Sequence, residues 1–284
     1  MVISSTVDQT TSWNPQSYAA NARFVSDLGE PLLLLLEPKS GEWILDLGCG
    51  DGALTEKIAA LGCAVVGMDS SLPQLQASRR RGLQVIAMDG QRVAFKRTFD
   101  AVFTNASLHW MKQPEKVAAG AFHALKPAGR FVGEFGGKGN VEKIRSALHY
   151  SLRKREIDPT SIDPWYYPSV EEYTKVLSSA GFSIDYMELI PRPTKLPGDI
   201  LGWLEVFAQP FAKAVSEAER PRFLAEVRDA LAPSLRASDG HWFADYVRLR
   251  FKAKKLTAEA PRTRSWKNSN FEILRCKLCA SVVK

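Results

Sequence analysis

One segment of the chain places an aspartate beside closely spaced glycines. Residues 45–52 read LDLGCGDG, directly after an apolar run and directly before a helical pattern. Such glycines let the backbone turn tightly and approach a ligand without interference from side chains. Asp46 would repel a pyrophosphate, whereas it suits a cationic ammonium group. Taken alone, the segment is equally compatible with an ordinary glycine-rich turn between a strand and a helix.

Two further carboxylates, Asp69 and Asp89, end the next two apolar runs. An acid at the first position can accept hydrogen bonds from both hydroxyls of a ribose. An acid at the second can accept one from an adenine amine, with Gly90 leaving room for the ring. Ser70 or Ser71 is expected to cap the helix that follows Asp69. Because parallel strands end at one edge of a sheet, the three acids should converge there, although each taken singly is also compatible with a helix cap.

These acids are positioned by a pattern in which short apolar runs alternate with helical stretches from residue 43 to residue 134. The alternation predicts βαβ units around a parallel sheet. A glycine cluster at 136–139 marks a junction, after which helical patterns and two more strands follow. The predicted strands are 43–47, 64–68, 84–88, 101–105, 130–135, 182–190 and 241–252, and the predicted helices are 54–60, 72–80, 114–125, 141–155, 169–180, 200–208 and 216–232, preceded by one or two helices within 15–36.

The block from 43 to 135 resembles the class I S-adenosylmethionine-dependent methyltransferase superfamily. Its first motif is similar to residues 44–55, its ribose-binding acid to Asp69, its adenine motif to residues 88–90 and its fourth motif to residues 99–110. The resemblance implies a Rossmann-like α/β fold with a seven-stranded, mostly parallel sheet whose last strand, 241–252, is antiparallel. It also implies a helical cap over the substrate and S-adenosylmethionine as the methyl donor.

The resemblance and the strand-end pattern together predict the residues that bind the donor. Tyr18 is expected to close over the donor from the amino-terminal helix, as its counterpart does in related enzymes, and simple helix packing is the alternative. The full predicted set is Tyr18, Asp46, Gly48, Cys49, Gly50, Asp69, Ser70, Asp89, Gly90 and Asn105.

Within the superfamily, the chain most resembles trans-aconitate methyltransferases and their uncharacterised relatives, and malonyl-carrier-protein methyltransferases share a related fourth motif. The resemblance is carried by Trp13, Tyr18 and the segments 106–110 and 245–251. Both families methylate carboxylates, which favours O-methylation of a small carboxylate here. The sequence departs from them at His109, where glutamine is common, and in its carboxyl-terminal tail. A hydroxyl or nitrogen acceptor stays an alternative.

His109 is the predicted catalytic residue, because it follows the fourth strand and faces the donor edge. The methyl group of a sulfonium is already activated, so the enzyme mainly has to align donor and acceptor. A carboxylate acceptor requires no general base at neutral pH, whereas a phenol or an amine does. His109 is therefore a candidate base or substrate-positioning group, and packing beside Trp110 is the structural alternative.

Two other groups of residues are candidates for the acceptor side. Arg248 and Arg250 share one face of the last strand, since side chains alternate with period two. They are able to clamp a carboxylate through paired donors, and the alternative is that they face solvent or pair with acidic helices. The aromatic run 165–167 offers rings for an apolar pocket or, alternatively, anchors for the core of the cap.

The composition bounds the remaining possibilities. The chain has 284 residues, with 45% hydrophobic and 24% charged residues, which is typical of soluble globular proteins. We predict a methyltransferase domain over 1–256, with helical cap elements at about 141–180 and 191–240, and a basic extension over 257–284. That extension contributes four of the seven net positive charges, so a nucleic-acid-binding face on the main body is not expected.

Several other classes are disfavoured by particular features. The longest apolar run, 32–36, is too short for a membrane, and the amino terminus lacks the pattern of a secretory signal, so we expect a cytoplasmic protein. Cys276 and Cys279 have the spacing of half a zinc site, but no second pair is present and no metal is expected. Asp46 argues against an NAD-dependent oxidoreductase. A regulatory or scaffold protein that keeps the fold without turnover stays an alternative, and the oligomeric state stays open.

Overall fold

The computed structural model describes residues 29–256. Tyr18, Trp13, Cys276, Cys279 and the predicted extension 257–284 lie outside these residues. Its strands are β1 Trp43–Leu47, β2 Ala64–Asp69, β3 Gln84–Ala87, β4 Phe99–Asn105, β5 Leu125–Gly136, β6 Phe182–Lys195 and β7 Phe243–Lys255.

The strands form one seven-stranded sheet in the order β3-β2-β1-β4-β5-β7-β6. β1 pairs in parallel with β2 and β4, while the β2–β3 and β4–β5 pairs are also parallel. β7 runs antiparallel between β5 and β6. The predicted Rossmann-like sheet with an antiparallel last strand is confirmed.

Helices flank this sheet and build a separate layer at one end. Ser169 and Glu172 form a reciprocal capping box at the start of one of them, which satisfies two backbone N–H groups that have no partner within the helix. The helices are α1 Glu30–Leu36, α2 Ala53–Ala60, α3 Leu72–Arg80, α4 Pro114–Ala124, α5 Glu142–Arg153, α6 Val170–Ser179, α7 Ile200–Phe207, α8 Gln209–Lys213 and α9 Arg220–Leu235.

Two strands are longer than the sequence pattern predicts. β5 begins at Leu125, which pairs with Phe99 across a register shift, although the sequence pattern begins this strand only at residue 130. β6 continues through Pro191 and Pro193 to Lys195. Proline interrupts a central strand, but β6 lies at the edge of the sheet and pairs on one side only, so the missing N–H groups break no ladder.

The two faces of the sheet carry different helices. Leu32 and Leu36 of α1 pack with Ile58 of α2 against Phe103 and other residues of one face. On the opposite face, α4 and α6 pack against β4, β5 and β7. None of the helices within residues 29–256 combines the length and apolar character needed to cross a bilayer.

The cap is a distinct apolar cluster of α5, α7, α8 and α9 around Trp165. It joins the sheet through the first part of β7, where Ala244 and Tyr246 are buried in it. The range 141–180, predicted as one cap element, contains helices of both kinds. α5 belongs to the cap cluster, whereas α6 packs on the sheet through Tyr173, Val176 and Leu177.

Arg130 on β5 ties the end of α1 to the loop before β1. Its Nε donates to the carbonyl oxygen of Leu36 at 2.6 Å, and its two terminal nitrogens donate to the carboxylate of Glu42 at 2.8 and 2.6 Å. These hydrogen bonds hold the pKa of Glu42 below its usual range. Both side chains are largely buried, so the pair stabilises the fold more than a surface ion pair would.

We expect Arg130→Ala to lower the free energy of unfolding at pH 7 by about 2–4 kcal/mol, because it leaves Glu42 buried without its partner. The loss should shrink as pH falls below about 4, since the paired form of Glu42 contributes stability only above its unfolded pKa. Urea unfolding of Arg130→Ala, Glu42→Gln and the double variant measures the coupling. Strictly additive effects at pH 7 would show that the pair does not act as a unit.

Candidate functional site

Three acidic residues lie at the carboxyl edge of adjacent parallel strands. Asp46, near the end of β1, pairs in register with Gly67 of β2, and Asp69, the last residue of β2, pairs with Ala87 of β3. Asp89 follows two residues after the end of β3. The structure therefore brings the three acids to the same edge of the sheet, where open α/β sheets bind their ligands.

The glycine-rich loop between β1 and α2 packs tightly at Gly48 and is open at Gly50. Gly48 has φ +78°, and a Cβ built on it would lie 2.3 Å from the Cβ of Ser107. Gly50 has φ +56° but open space beside it, with no heavy atom within 4 Å of such a Cβ. Its N–H donates to Asp69 Oδ2 at 3.0 Å, and Ser78 Oγ donates to its carbonyl oxygen at 2.7 Å. The loop is thus held from behind while open space remains beside Gly50.

Asp46 is buried without a basic partner among residues 29–256. Thr55 Oγ1 donates a hydrogen bond to its Oδ2 at 2.6 Å. The pKa of Asp46 is raised to about 7, because burial and the nearby charge of Asp69 raise it more than the Thr55 hydrogen bond lowers it. A buried acid in this state is costly when ionised, and a cationic ligand group would offset that cost.

Asp69 keeps part of its carboxylate available although both oxygens are used by the backbone. Oδ1 accepts from the N–H of Ser71 at 2.8 Å and Oδ2 from Gly50. Burial raises the pKa of Asp69, against the effect of these hydrogen bonds. Each carboxylate oxygen has a second lone pair, and the side chain is half-buried, so hydroxyl groups of a ligand can still reach it. Ser70 is exposed beside it, and Ser71 is the cap residue of α3.

Asp89 lies at the predicted edge of the sheet, but Gly90 does not leave the space that the sequence predicts. Oδ1 of Asp89 accepts from the N–H of Gln91 at 2.9 Å, so this oxygen caps the short 3₁₀ turn Gly90–Arg92. A Cβ on Gly90 would lie 2.6 Å from Cε of Met111. The space that we expected Gly90 to leave for a ring is therefore filled by Met111, whose thioether offers a soft apolar surface at this end of the site.

Cys49 and Asn105 are the remaining residues predicted for the donor site. Cys49 packs against Gly67, where an added Cβ would lie 2.9 Å from the sulfur. Burial, with Asp46 and Asp69 nearby, raises the pKa of the Cys49 thiol, so the sulfur stays protonated and neutral. Asn105 ends β4 and pairs with Glu134 of β5, which places it at the same edge.

His109 is a buried, neutral ring that is fixed at one nitrogen. Its Nδ1 accepts the N–H of Gly136 at 3.2 Å. Burial, and then the charge of Arg248, hold the pKa of His109 well below its usual value. In a neutral ring with Nδ1 as acceptor, the proton lies on Nε2. Two roles were predicted for His109. The geometry favours the positioning role, in which Nε2–H donates a hydrogen bond to a ligand, and disfavours the role of general base.

Arg248 is a buried guanidinium for which no carboxylate lies within salt-bridge distance in the described residues. In the β5–β7 register it stands opposite Gly136, the residue whose N–H donates to His109. Its guanidinium carbon lies 4.3 Å from the centre of the Tyr246 ring, and its buried Nε has no hydrogen-bond partner. By register, Arg248 and Asp46 occupy the same face of the sheet. An unpaired buried cation is costly, and a bound anion would offset that cost.

Arg250, two residues further along, is already paired with a carboxylate. Its Nε and one terminal nitrogen contact Glu134 Oε2 at 2.7 and 2.6 Å, while Arg192 contacts Oε1 at 2.8 Å. The expectation of a paired clamp from Arg248 and Arg250 is thus wrong for Arg250, because Glu134 on the neighbouring strand takes its donors. Neither arginine faces solvent. Glu134 is not among the residues predicted for the site, although its position near the end of the predicted strand 130–135 is a usable signal.

The aromatic run 165–167 has members of both predicted kinds. Trp165 is buried in the cap core. The N–H of Tyr166 donates to the carbonyl oxygen of His109 at 2.9 Å. The half-buried Tyr167 ring lies 5.8 Å from the His109 ring. The run 165–167 therefore connects the cap core to His109.

Comparisons with known proteins agree with this geometry. A family model described as a methyltransferase domain matches residues 45–133. An uncharacterised methyltransferase of Schizosaccharomyces pombe is 36% identical over 86% of this chain and 98% of its own length. A trans-aconitate 2-methyltransferase of Rhodococcus jostii is 28% identical over 84% of this chain and 97% of its own length.

Solved structures show the same fold. The Haemonchus contortus phosphoethanolamine N-methyltransferase 2, in complex with S-adenosyl-L-methionine, matches with a TM-score of 0.53 and 20% identity. The match covers 81% of this chain and 53% of that one.

We expect Asp46→Asn to stabilise the ligand-free protein at pH 8 by up to about 4 kcal/mol, since it removes a buried charge whose pKa is about 7 when folded against 3.8 as its model value. The sign follows from the raised pKa, because the folded state binds the proton more tightly and loses stability as pH rises from about 4 to 7. The gain should therefore disappear near pH 4. Thermal unfolding across this range measures it.

Asp100→Asn is a matched control with the opposite sign. Burial raises the pKa of Asp100, but the hydrogen bonds from Lys126 and from the N–H of Trp43, together with the charges of Lys126 and Arg130, outweigh it, so that the net pKa is lowered. This variant should lose stability at pH 8. If Asp46→Asn destabilised the protein equally at pH 5 and pH 8, the buried-charge account of Asp46 would be wrong.

Proposed function

The chain belongs to the class I S-adenosylmethionine-dependent methyltransferases, and we propose that it methylates a carboxylate oxygen of a small molecule. The observation that carries this proposal is the buried Arg248, unpaired with any carboxylate in residues 29–256. It stands beside a neutral histidine that is set up to donate a hydrogen bond.

The residues at the sheet edge fit S-adenosylmethionine as the donor. Asp46 is a buried acid without a basic partner in the described residues, which suits the ammonium group. Asp69 can accept hydrogen bonds from ribose hydroxyls, and the open space beside Gly50 admits the ligand to the loop. When bound, this molecule supplies a methyl group on a positively charged sulfur.

The two acceptor-side candidates in residues 29–256, Arg248 and His109, offer hydrogen-bond donors rather than a group that takes up a proton. Arg248 and His109 Nε2 both present N–H groups, so together they complement an oxygen-rich anion. A hydroxyl or amine acceptor would have to lose a proton, and the pKa of His109 lies too low for it to hold one at neutral pH. These two side chains therefore favour an acceptor that is already ionised.

The reaction balances without a base. A carboxylate oxygen forms a bond to the methyl carbon as the bond from that carbon to sulfur breaks, and the electron pair remains on sulfur. The negative charge of the acceptor and the positive charge of the donor cancel, so no proton moves. Arg248 and His109 have only to orient the carboxylate in line and exclude water.

Two relatives support the same acceptor chemistry by their names. The trans-aconitate 2-methyltransferases of Rhodococcus jostii and Mycolicibacterium gilvum, which are 28% and 27% identical to this chain, act on a carboxylic acid. Each similarity extends over 84% of this chain.

We expect Arg248→Gln to lower kcat/KM for a carboxylate acceptor by roughly 10- to 150-fold, the effect of losing about 1.5–3 kcal/mol of charge-assisted hydrogen bonding. The affinity for S-adenosylmethionine should stay the same. The ligand-free variant should be at least as stable as the wild type, because a buried unpaired charge is removed. A loss of stability with unchanged acceptor kinetics would instead assign Arg248 a structural role.

The matched control is Arg222→Gln, at a position where the side chain is 80% exposed on α9. It removes the same charge without touching the site, so it should leave the acceptor kinetics unchanged.

With donor and acceptor both saturating, we expect kcat to be constant between about pH 6.5 and 9. A carboxylate is ionised throughout this range and the pKa of His109 lies below it. By contrast, kcat/KM for the donor should fall below pH 7 as Asp46 takes up its proton. Initial rates of S-adenosylhomocysteine release measure both profiles. A kcat that rises tenfold per pH unit would indicate base catalysis on a hydroxyl or amine.

A further inference from the structure

Two polar side chains, those of Asn140 and Tyr167, lie on the same side of the sheet as Arg248. We propose that Tyr167 is a third hydrogen-bond donor to the acceptor carboxylate, and that Asn140 is a positioning residue that directs the Tyr167 hydroxyl toward it. This inference rests on the proposed carboxylate methylation and adds two residues to its acceptor site.

Gly136 is the point at which these side chains meet. It stands opposite Arg248 in the β5–β7 register, and residues paired in this way carry their side chains on one face of the sheet. A Cβ built on Gly136, which would point to that face, would lie 2.7 Å from Nδ2 of Asn140 and 2.8 Å from Cδ1 of Tyr167. Because Gly136 has no side chain, both residues can approach on the side where Arg248 lies.

His109 belongs to the same group of residues. The N–H of Gly136 donates to its Nδ1 at 3.2 Å, and the centres of the His109 and Tyr167 rings lie 5.8 Å apart. Burial lowers the pKa of His109 and raises that of Tyr167, while the charge of Arg248 lowers both. The guanidinium therefore lies close enough to both rings to act on them, as a shared anion site requires.

The hydrogen bonds of Asn140 decide where the Tyr167 hydroxyl proton points. Asn140 is buried, and its Oδ1 accepts the N–H of Val247 at 3.0 Å. A backbone N–H can only donate, so the amide oxygen faces Val247, and the Nδ2 group, which also can only donate, faces Tyr167. Asn140 therefore cannot accept the Tyr167 proton, which points to another acceptor.

Tyr167 keeps that proton at neutral pH. Burial raises its pKa well above the usual value for tyrosine, and this effect exceeds the lowering by the hydrogen bond with Asn140 and by the charge of Arg248. A hydrogen bond that lowers the pKa of a phenol is donated to its oxygen, in agreement with the orientation of the Asn140 amide. Tyr167 thus presents a neutral hydroxyl that can donate.

The ring that carries this hydroxyl is held by the cap. Trp165, which is buried in the cap cluster, stacks on Tyr167 with ring centres 5.8 Å apart and planes inclined by 21°. A carboxylate has about four lone-pair sites. Single hydrogen bonds from Arg248, His109 and Tyr167 would use three of them and leave one for the bond to the methyl carbon.

The test follows labels on two of the donors while a minimal carboxylate is added. The full-length protein, saturated with S-adenosylhomocysteine, carries ¹³C at the tyrosine Cζ atoms and ¹⁵N in the histidine rings. Acetate is the probe, because it consists of little more than the charged group, and sodium chloride at equal ionic strength is its control. Nuclear magnetic resonance spectra of Tyr167→Phe and His109→Gln assign the two signals.

We expect the Tyr167 Cζ and His109 Nε2 signals to shift with the same dependence on acetate concentration and not to respond to chloride. Tyr167→Phe should weaken acetate binding, followed at His109, by about 10- to 100-fold, the effect of one hydrogen bond to a charged group. Tyr150→Phe removes the same hydroxyl from an exposed position on α5 and should leave acetate binding unchanged.

Asn140→Ala tests the positioning role. It should weaken acetate binding by about fivefold in the wild-type background and by less than about twofold in the Tyr167→Phe background, since Asn140 acts through the hydroxyl. Equal losses in both backgrounds would overturn the positioning role of Asn140. The Tyr167→Phe comparison decides the donor role independently of how the Asn140 variant folds.

The inference and the proposed function fail in different ways. An acetate-dependent shift at His109 without one at Tyr167, or acetate binding that Tyr167→Phe leaves unchanged, would overturn the donor role of Tyr167 and leave a carboxylate site at Arg248 and His109 intact. The absence of a shift at either residue would overturn this inference and the proposed carboxylate site together.

Discussion

Two buried charges of opposite sign, Asp46 and Arg248, dominate the physics of this site because neither has a charged partner within residues 29–256. They lie on the same face of the sheet, on β1 and β7, with β4 and β5 between them. Three strand spacings correspond to roughly 14 Å, too far for the two side chains to neutralise each other. An ammonium group bound at Asp46 and a carboxylate bound at Arg248 would offset the free-energy cost of burying each charge. Part of the binding free energy would therefore come from pairing these two charges.

The rest of the fold keeps these charges apart and buried. The glycine loop is held by Ser78 and Asp69, so its backbone stays close to Ser107 while open space remains beside Gly50. At the other end, Glu134 is shared by Arg250 and Arg192, while Arg248 has no carboxylate within salt-bridge distance among residues 29–256. The cap cluster buries Tyr246 and packs against the Tyr167 ring that lies beside His109. Stability elsewhere, as in the pairing of Arg130 with Glu42, offsets the cost of this arrangement.

Much of the architecture could be predicted from local patterns. The alternation of apolar runs with helical stretches is a property of neighbouring residues, so β1 and α3 begin and end where the pattern places them. The bounds of β5 and β6 were less accessible. Leu125 joins a strand because Phe99 is available as a partner, and Pro191 and Pro193 are tolerated because β6 happens to be an edge. Such facts depend on which strand lies beside which.

The sequence by itself determined the family, the donor and the carboxyl-edge position of Asp46, Asp69 and Asp89, because these follow from spacing along one chain and from the way parallel strands end. Only the tertiary structure decided what each polar group does. His109 became a donor through Gly136, Gly90 lost its open space to Met111, and Arg248 was separated in role from Arg250 by Glu134. The physical reason is that protonation and pairing depend on which groups from distant segments meet in a low-dielectric environment, and spacing along the sequence does not contain that information.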